Sequence, residues 1–200
     1  MISGNFEDKY NTKNPISKFL VKNFILTLTR LLDRIDNPKK IAEAGMGEGY
    51  LTGIIASRFP NAQIWGSDIE YDILALARKR LKGKNINLSV ENLEKLSYPA
   101  NHFDLFVCCE VLEHVADPKK ALQQIKRVIR GKAIVSVPEE PLWRILNMLR
   151  GKYINNFGNT PGHINHWNKE EFVKMIESSG FTILSKHYPL PWQMLLIGKK

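Results

Sequence analysis

Residues 41–50 read Ile-Ala-Glu-Ala-Gly-Met-Gly-Glu-Gly-Tyr, so that a short apolar run reaches the acidic Glu43 and passes directly into three alternating glycines. A helical pattern follows at once, over residues 51–58. A strand, a glycine turn and a helix in this order let the backbone approach a nucleotide closely and place helix N–H groups beside it. A glycine-rich turn that binds nothing is the alternative, and residues further along the chain have to decide between the two.

The acid and the three glycines resemble the first motif of the class I S-adenosylmethionine-dependent methyltransferases. A nicotinamide dehydrogenase is another class with a glycine turn after a strand, but its fingerprint G-x-G-x-x-G requires a third glycine where this chain has Tyr50. The spacing therefore favours the methyltransferase.

A second motif lies at residues 109–118, which read Cys-Glu-Val-Leu-Glu-His-Val-Ala-Asp-Pro. It resembles the fourth-strand motif of the type 11 group of methyltransferases, which includes the ubiquinone-pathway O-methyltransferases. The resemblance implies a Rossmann-like, doubly wound α/β fold, with a seven-stranded sheet that is mostly parallel, an antiparallel last strand, and helices on both faces. It also implies a single methyltransferase domain over residues 1–200, with S-adenosylmethionine as the cofactor.

The resemblance assigns cofactor binding to residues near the ends of the predicted strands. These are Glu43, Gly45, Met46, Gly47, Gly49, Asp68, Ile69, Asn92, Leu93 and Glu110. Asp68 follows the second predicted strand, residues 62–66, where a carboxylate can accept both ribose hydroxyls. Its alternative role is an acid at the N-terminus of the helix predicted over residues 71–81. Asn92 stands where the related enzymes often have an acid that touches the adenine amino group, and its amide oxygen can accept the same hydrogen bond.

Residues 1–37 form a predicted N-terminal helical segment. Asn14 and Pro15 suit the start of a helix, and apolar residues from Ile16 and Phe19 onward recur at helical spacing. In the methyltransferases such a helix often roofs the cofactor site, and simple packing against the sheet is the alternative.

Residues 138–167 interrupt the strand–helix repeat after the fifth predicted strand. We predict that they form a substrate lid above the carboxyl ends of the strands, where ligands bind in open α/β folds. An apolar side of the lid is predicted from Leu142, Ile145, Leu146 and Leu149. Ordinary core packing and a peripheral contact with a membrane surface are the alternatives.

Acidic and imidazole side chains recur in the second motif and in the lid. Glu110, Glu113 and His114 form one run, and His163 and His166 follow in the lid. An oxygen nucleophile needs a base or a metal ion to remove its proton, so we predict catalytic roles for His114, His163 and His166. The run also resembles the metal-binding set of small-RNA 3′-end 2′-O-methyltransferases. We nevertheless predict no metal, with Glu113 and His114 orienting the cofactor and the loop.

Composition places the chain among globular proteins, with 44% hydrophobic and 24% charged residues. The sequence shows no apolar run of transmembrane length and no signal peptide, and we expect a cytoplasmic protein. The net charge of +9 could attract nucleic acid or an anionic membrane, but the lysines are scattered rather than clustered.

The sequence thus predicts an S-adenosylmethionine-dependent methyltransferase that acts on a small apolar or aromatic metabolite. The alternatives are a metal-assisted RNA 2′-O-methyltransferase and a cofactor-binding accessory protein without catalysis. A nucleic-acid partner and a peripheral membrane contact remain open, without stable insertion, and the oligomeric state is undetermined.

Overall fold

The computed structural model describes residues 13–200. Seven strands form one sheet in the order β3-β2-β1-β4-β5-β7-β6. The strands are β1 Lys40–Ala44, β2 Gln63–Asp68, β3 Ile86–Val90, β4 Phe103–Cys109, β5 Ile129–Pro138, β6 Phe181–His187 and β7 Trp192–Lys199. The helices are α1 Pro15–Leu32, α2 Tyr50–Arg58, α3 Tyr71–Arg80, α4 Pro118–Val128, α5 Leu142–Leu149 and α6 Lys169–Ser178, with short 3₁₀ helices at Leu112–His114 and Ile154–Asn156. The first twelve residues of the predicted N-terminal segment lie outside the described part of the chain.

Strands β1 to β5 pair only in parallel with one another, whereas β7 lies between β5 and β6 and is antiparallel to both. The predicted Rossmann-like fold, with a seven-stranded sheet and an antiparallel last strand, is confirmed. From β1 the chain proceeds outward to β2 and β3 and then crosses to β4 on the other side of β1. At such a reversal the neighbouring connections diverge and leave a crevice at the carboxyl ends of the strands.

Both faces of the sheet are buried, because successive side chains of a strand point to opposite sides. In β1, Ala42 and Ala44 pack in the core beneath α4 and α6, whereas Ile41 packs in the core beneath α1 and α2. The central strands are therefore covered on both faces, and their carboxyl edge is the part of the sheet that remains accessible to a ligand.

Helix α1 begins where the sequence predicted. The side chain of Asn14 accepts hydrogen bonds from the backbone N–H groups of Ile16 and Ser17. Its predicted apolar face is only partly correct, since Phe24 is buried but Ile16 and Phe19 are exposed. Those two residues lie in the first turns of the helix, which extend past the region where the helix packs on the sheet.

The four apolar residues predicted for the lid divide between two environments, since Leu142 and Leu146 are half-buried and Ile145 and Leu149 are exposed. Among the eight residues of α5, all of which the structure describes, Asn147 alone is buried, and Ile145 and Leu149 are exposed. The Asn147 side chain donates hydrogen bonds to the Gly158 carbonyl and to Thr160 Oγ1, and these bonds fix the rotation of the helix.

Within residues 13–200, no helix is both long enough and apolar enough to cross a membrane.

Candidate active site

A cavity of about 930 Å³ opens at the carboxyl edge of the sheet. Its floor is made by the turns that follow β1, β2, β3 and β4, and parts of α1 and α5 border it from above. Its position is the crevice expected where the strand order reverses.

The glycine turn after β1 adopts backbone conformations that favour glycine. Gly45, Gly47 and Gly49 have φ angles of +67°, +53° and +80°. A Cβ on Gly47 would meet none of the described atoms within 4 Å, so the backbone here faces open space. Gly45 and Gly47 line the cavity, but Gly49 does not, because it caps α2 and packs against Leu81. Gly49 therefore shapes the turn without reaching the cavity.

Asp68 ends β2 and lines the cavity beside the glycine turn. Its Oδ2 accepts a hydrogen bond from the Gly47 N–H at 2.8 Å, and its Oδ1 accepts one from the Glu70 N–H at 3.1 Å. A carboxylate has about four acceptor positions, so two backbone amides leave capacity for two hydroxyl groups. The two amides thus fix the orientation of Asp68 while leaving it able to accept bonds from a diol.

Glu43 lies under the cavity, almost completely buried. Burial raises its pKa to about 8, and the charge of Asp68 adds to that rise, although a 2.5 Å hydrogen bond donated by Thr52 Oγ1 opposes it. At neutral pH Glu43 is therefore largely protonated. Its contact with Thr52 ties the end of β1 to α2.

Three further predicted residues line the cavity beyond Asp68. They are Ile69, Asn92 and Leu93. The Oδ1 atom of Asn92 accepts a hydrogen bond from the Glu94 N–H at 2.8 Å and so stabilises its own turn. A carbonyl oxygen has a second lone pair, which keeps the predicted adenine contact chemically feasible. Met46 also lines the cavity and packs against Gly66 of β2.

Glu110 follows β4 with a φ of +60°, a conformation that non-glycine residues adopt rarely and at a cost of about 1–3 kcal/mol. Its Oε2 accepts a 2.5 Å hydrogen bond from Trp192 Nε1, and its Oε1 a longer one from Ser136 Oγ. Trp192 packs in turn against Trp143, with ring centroids 5.7 Å apart. The surrounding aromatic residues thus hold a strained acidic residue at the cavity wall.

Glu113, His114 and His163 come together on the other wall. Each offers a ligand atom, and these atoms all lie within 4.8 Å of one another. His114 Nδ1 lies 2.9 Å from the Gly162 carbonyl oxygen, and since a carbonyl can only accept, Nδ1 donates. In a neutral imidazole this leaves the lone pair on Nε2. His163 stacks on Trp143, with centroids 5.9 Å apart.

His166, the third predicted catalytic histidine, lies outside the cavity lining. Its Nε2 is 2.8 Å from Asn159 Oδ1, and burial, aided by the nearby charge of Arg144, lowers its pKa. The geometry therefore does not join His166 to His114 and His163.

The comparisons with known proteins agree with this architecture. The family model described as a methyltransferase domain matches residues 42–137, from within β1 to within β5. The match covers just under half of the chain, and we call residues 42–137 the methyltransferase domain after it. The predicted resemblance to the methyltransferases is confirmed.

Two curated methyltransferases are similar to parts of this chain. A ubiquinone biosynthesis O-methyltransferase of Coxiella burnetii (strain Dugway 5J108-111) is 26% identical over 153 residues, which are 73% of this chain and 64% of the relative. A ubiquinone/menaquinone biosynthesis C-methyltransferase of Cupriavidus taiwanensis is 31% identical over 121 residues, which are 53% of this chain and 50% of the relative. The chain thus spans less than two thirds of the length of these relatives.

Among solved structures, magnesium protoporphyrin IX methyltransferase from Synechocystis PCC 6803 with bound SAH is similar with a TM-score of 0.73 at 18% identity. The match covers 96% of this chain and 91% of that one. At this identity the likeness supports the fold of the methyltransferase domain and its C-terminal strands.

Segments outside the methyltransferase domain complete the cavity. Trp143 Nε1 donates a hydrogen bond to Thr160 Oγ1 at 2.9 Å, and this bond fixes the indole ring of Trp143 in the cavity wall. Arg150 at the end of α5 lines the cavity and reaches Ser17 of α1, with Nη1 3.5 Å from the hydroxyl. The two helices above the sheet therefore meet at the mouth of the cavity.

Sequence reasoning did not assign Trp192, Thr52 or Arg150 to the site. Trp192 touches a residue 82 positions earlier in the chain, and neither spacing nor composition signals such a contact. Thr52 lies just after the glycine motif, in the first turn of α2. Its hydroxyl group was the sequence feature that could have identified it as the partner of Glu43.

Proposed function

We propose that the chain binds S-adenosylmethionine in this cavity and transfers its methyl group to a small apolar or aromatic acceptor. One observation carries the proposal: Asp68, held by two backbone amides, stands beside Gly47, whose backbone faces open space at the edge where β1 and β2 end. Both features fit an adenosyl amino acid, since Asp68 can accept the ribose hydroxyls and the glycine backbone can lie along the amino-acid portion. Asn92 and Leu93 would border the adenine.

The bound cofactor would supply an electrophilic methyl group attached to a positively charged sulfur. The task left to the protein is to align an acceptor with that group and to exclude water. The helices α1 and α5 would help to exclude water, since residues of both helices border the cavity from above.

A hydroxyl acceptor has to lose its proton, and His114 is placed to take it. The Gly162 carbonyl holds the Nδ1–H, so that Nε2 carries the lone pair in the neutral ring. His163 packs at 4.8 Å from His114, and Trp143 stacks on its other side. His163 is thus a positioning residue for the imidazole of His114.

The character of the acceptor follows from the cavity wall that faces these imidazoles. Trp143 and Trp192 line it, together with Leu20, Val21 and Leu146. Such a wall favours an aromatic or aliphatic acceptor over a strongly hydrated one. The names of the relatives, which refer to ubiquinone biosynthesis and to magnesium protoporphyrin IX, support the same class of acceptor.

Metal-assisted methyl transfer is a second candidate, and the cluster of Glu113, His114 and His163 specifically favours it. One carboxylate and two imidazoles suit a divalent transition-metal ion, which would lower the pKa of a bound hydroxyl group. The alternative of a metal-assisted RNA 2′-O-methyltransferase requires a bound metal ion, whereas proton removal by His114 does not.

Calorimetry with S-adenosylmethionine tests the cofactor site. Asp68→Ala should weaken binding at least about ten-fold, because hydrogen bonds to a charged group are lost. Asp72→Ala, which removes an exposed acid four residues away that does not line the cavity, is the matched control and should bind normally. Equal affinities of the two variants would refute the site.

Turnover is tested by incubating the protein with methyl-labelled S-adenosylmethionine and cell extract, with and without a chelator. Label in the organic fraction that persists with chelator supports the His114 base. Chelator-sensitive label in the RNA fraction supports the metal-assisted alternative. If the protein binds the cofactor but no fraction acquires label, the proposal of an enzyme is refuted and a cofactor-binding accessory protein without catalysis is supported.

A further inference from the structure

One side of the amphipathic helix α5 leaves large apolar side chains in solvent, whereas Trp143 and Leu146 on its other side line the cavity. Its buried residue is Asn147, and the exposed ones include Ile145, Met148 and Leu149, the last of these 77% exposed. An amphipathic helix of a globular protein normally buries its apolar side. This orientation is fixed by the Asn147 hydrogen bonds to Gly158 and Thr160 and is therefore part of the fold.

Further exposed apolar side chains lie in the two segments next to α5. Phe19, in the first half of α1, is 68% exposed, and Ile16 lies one turn before it. After α5, Ile154 begins a short 3₁₀ helix and Phe157 follows it directly, and Phe157 is 78% exposed. Large exposed apolar patches on soluble proteins mark surfaces that contact a partner or a membrane.

These segments meet around the mouth of the cavity. Arg150 at the end of α5 reaches the Ser17 hydroxyl of α1, and both residues line the cavity. The backbone after α5 folds back on the helix, with the Lys152 N–H donating to the Asn147 carbonyl at 2.9 Å. We call the apolar residues Ile16, Phe19, Ile145, Met148, Leu149, Ile154 and Phe157 the rim patch.

The two segments that carry the rim patch contain basic residues and no acidic ones. Residues 13–32 and 141–165 contain no aspartate or glutamate, although acids make up 20 of the 200 residues. The same two segments carry seven lysines and arginines, of which Arg144 pairs with Glu140 just outside them: Lys13, Lys18, Lys22, Arg30, Arg144, Arg150 and Lys152. Basic residues beside exposed aliphatic and aromatic ones are the pattern of a surface that lies on an anionic bilayer.

We propose that the rim patch docks the protein on an anionic lipid surface, with the mouth of the cavity facing the membrane. The charge pattern argues against a second copy of the chain as the occupant, because a two-fold contact would bring like charges together. A nucleic acid would satisfy the cations but would leave Leu149 and Phe157 in water. This inference is independent of the proposed methyl transfer, although docking in this orientation would let an apolar acceptor enter the cavity without crossing water.

Vesicle flotation measures the docking directly. Phosphatidylcholine vesicles with and without phosphatidylglycerol serve as probes, and the protein should partition strongly onto the anionic ones. Leu149→Glu and Phe19→Glu should each lower the partition coefficient at least about ten-fold, because an inserted apolar group is replaced by a charge. Leu76→Glu, at an exposed leucine of α3 outside the patch, is the matched control and should change it less than about two-fold.

The electrostatic part of the inference has its own test. Lys18→Gln and Lys22→Gln should each reduce partitioning about five-fold on phosphatidylglycerol vesicles and leave binding to pure phosphatidylcholine unchanged. Calorimetry of S-adenosylmethionine binding should be unaffected in all of these variants, because none of the substituted residues lines the cavity. If the wild-type protein does not bind S-adenosylmethionine, the proposed function is refuted, but the vesicle experiments still test the docking.

Three results would overturn the inference. The protein could fail to float with anionic vesicles, or Leu149→Glu could bind them as well as Leu76→Glu does. A decrease in molecular mass by light scattering in Leu149→Glu would show that a second copy, not a membrane, covers the rim patch.

Discussion

Replacing the buried Glu43 by glutamine should change how the stability of the protein depends on pH. Burial raises the pKa of Glu43 from 4.5 to about 8, with a smaller contribution from the charge of Asp68. Between these two values the folded protein holds a proton that the unfolded chain has released, so stability decreases as pH rises through the window. The decrease is about 1.4 kcal/mol per pH unit for one such group, and it ends above the folded-state pKa.

The measurement is the free energy of unfolding in urea, determined for the wild type and Glu43→Gln from about pH 5.5 to about pH 7.5. Glutamine keeps an acceptor for Thr52 but cannot ionise, so relative to the variant the wild type should lose about 2 to 3 kcal/mol over this range. All other titrating groups cancel in the difference. Glu48→Gln, at an exposed glutamate that bonds to Arg80, gives the baseline for removal of a surface carboxylate.

A difference between wild type and Glu43→Gln that stays constant with pH would show that Glu43 is ionised in the folded protein. The reasoning from burial would then be wrong.

Three further substitutions separate contacts that the structure shows. Trp192→Phe keeps an aromatic ring but removes the N–H that donates to Glu110. Calorimetry should therefore show weaker binding of S-adenosylmethionine. An unchanged affinity would mean that Glu110 does not need this donor. Gly131→Ala would place a Cβ 2.2 Å from the Asp104 carbonyl oxygen and should lower the free energy of unfolding in urea by about 1–3 kcal/mol. Gly53→Ala, inside α2 with its nearest contact at 3.6 Å, should instead raise it by about 0.5–1 kcal/mol, and a loss there would contradict the packing described.

Local sequence patterns were sufficient to predict the bounds of several strands and the start of a helix. The sequence pattern predicts strands over residues 86–90, 103–109 and 181–187, and these are the observed bounds of β3, β4 and β6. It also predicts a capping box from Asn168 and Glu171, which the start of α6 contains, because this pattern involves only four consecutive residues. The glycines after β1 adopt left-handed conformations that their side-chain-free backbone permits.

The ligand roles of the individual residues are less fully determined by the sequence. Asp68 and the glycine turn lie at the cavity as their motif predicts, but their binding roles remain predictions for the calorimetric test. Gly49 and His166 belong to motifs of the right spacing and yet lie outside the cavity lining. Spacing along the chain fixes which strand or loop a residue follows, but not whether that residue reaches the cavity.

The sequence by itself determined the order of strands and helices, the glycine turn and the acid after β2, because each depends on residues a few positions apart. The tertiary structure decided that α5 leaves Ile145 and Leu149 in solvent, that Trp192 holds Glu110, and that His114 meets His163. Each of these depends on contacts between residues far apart in the chain, and hydrophobic periodicity says that a helix has an apolar side without saying what lies opposite it.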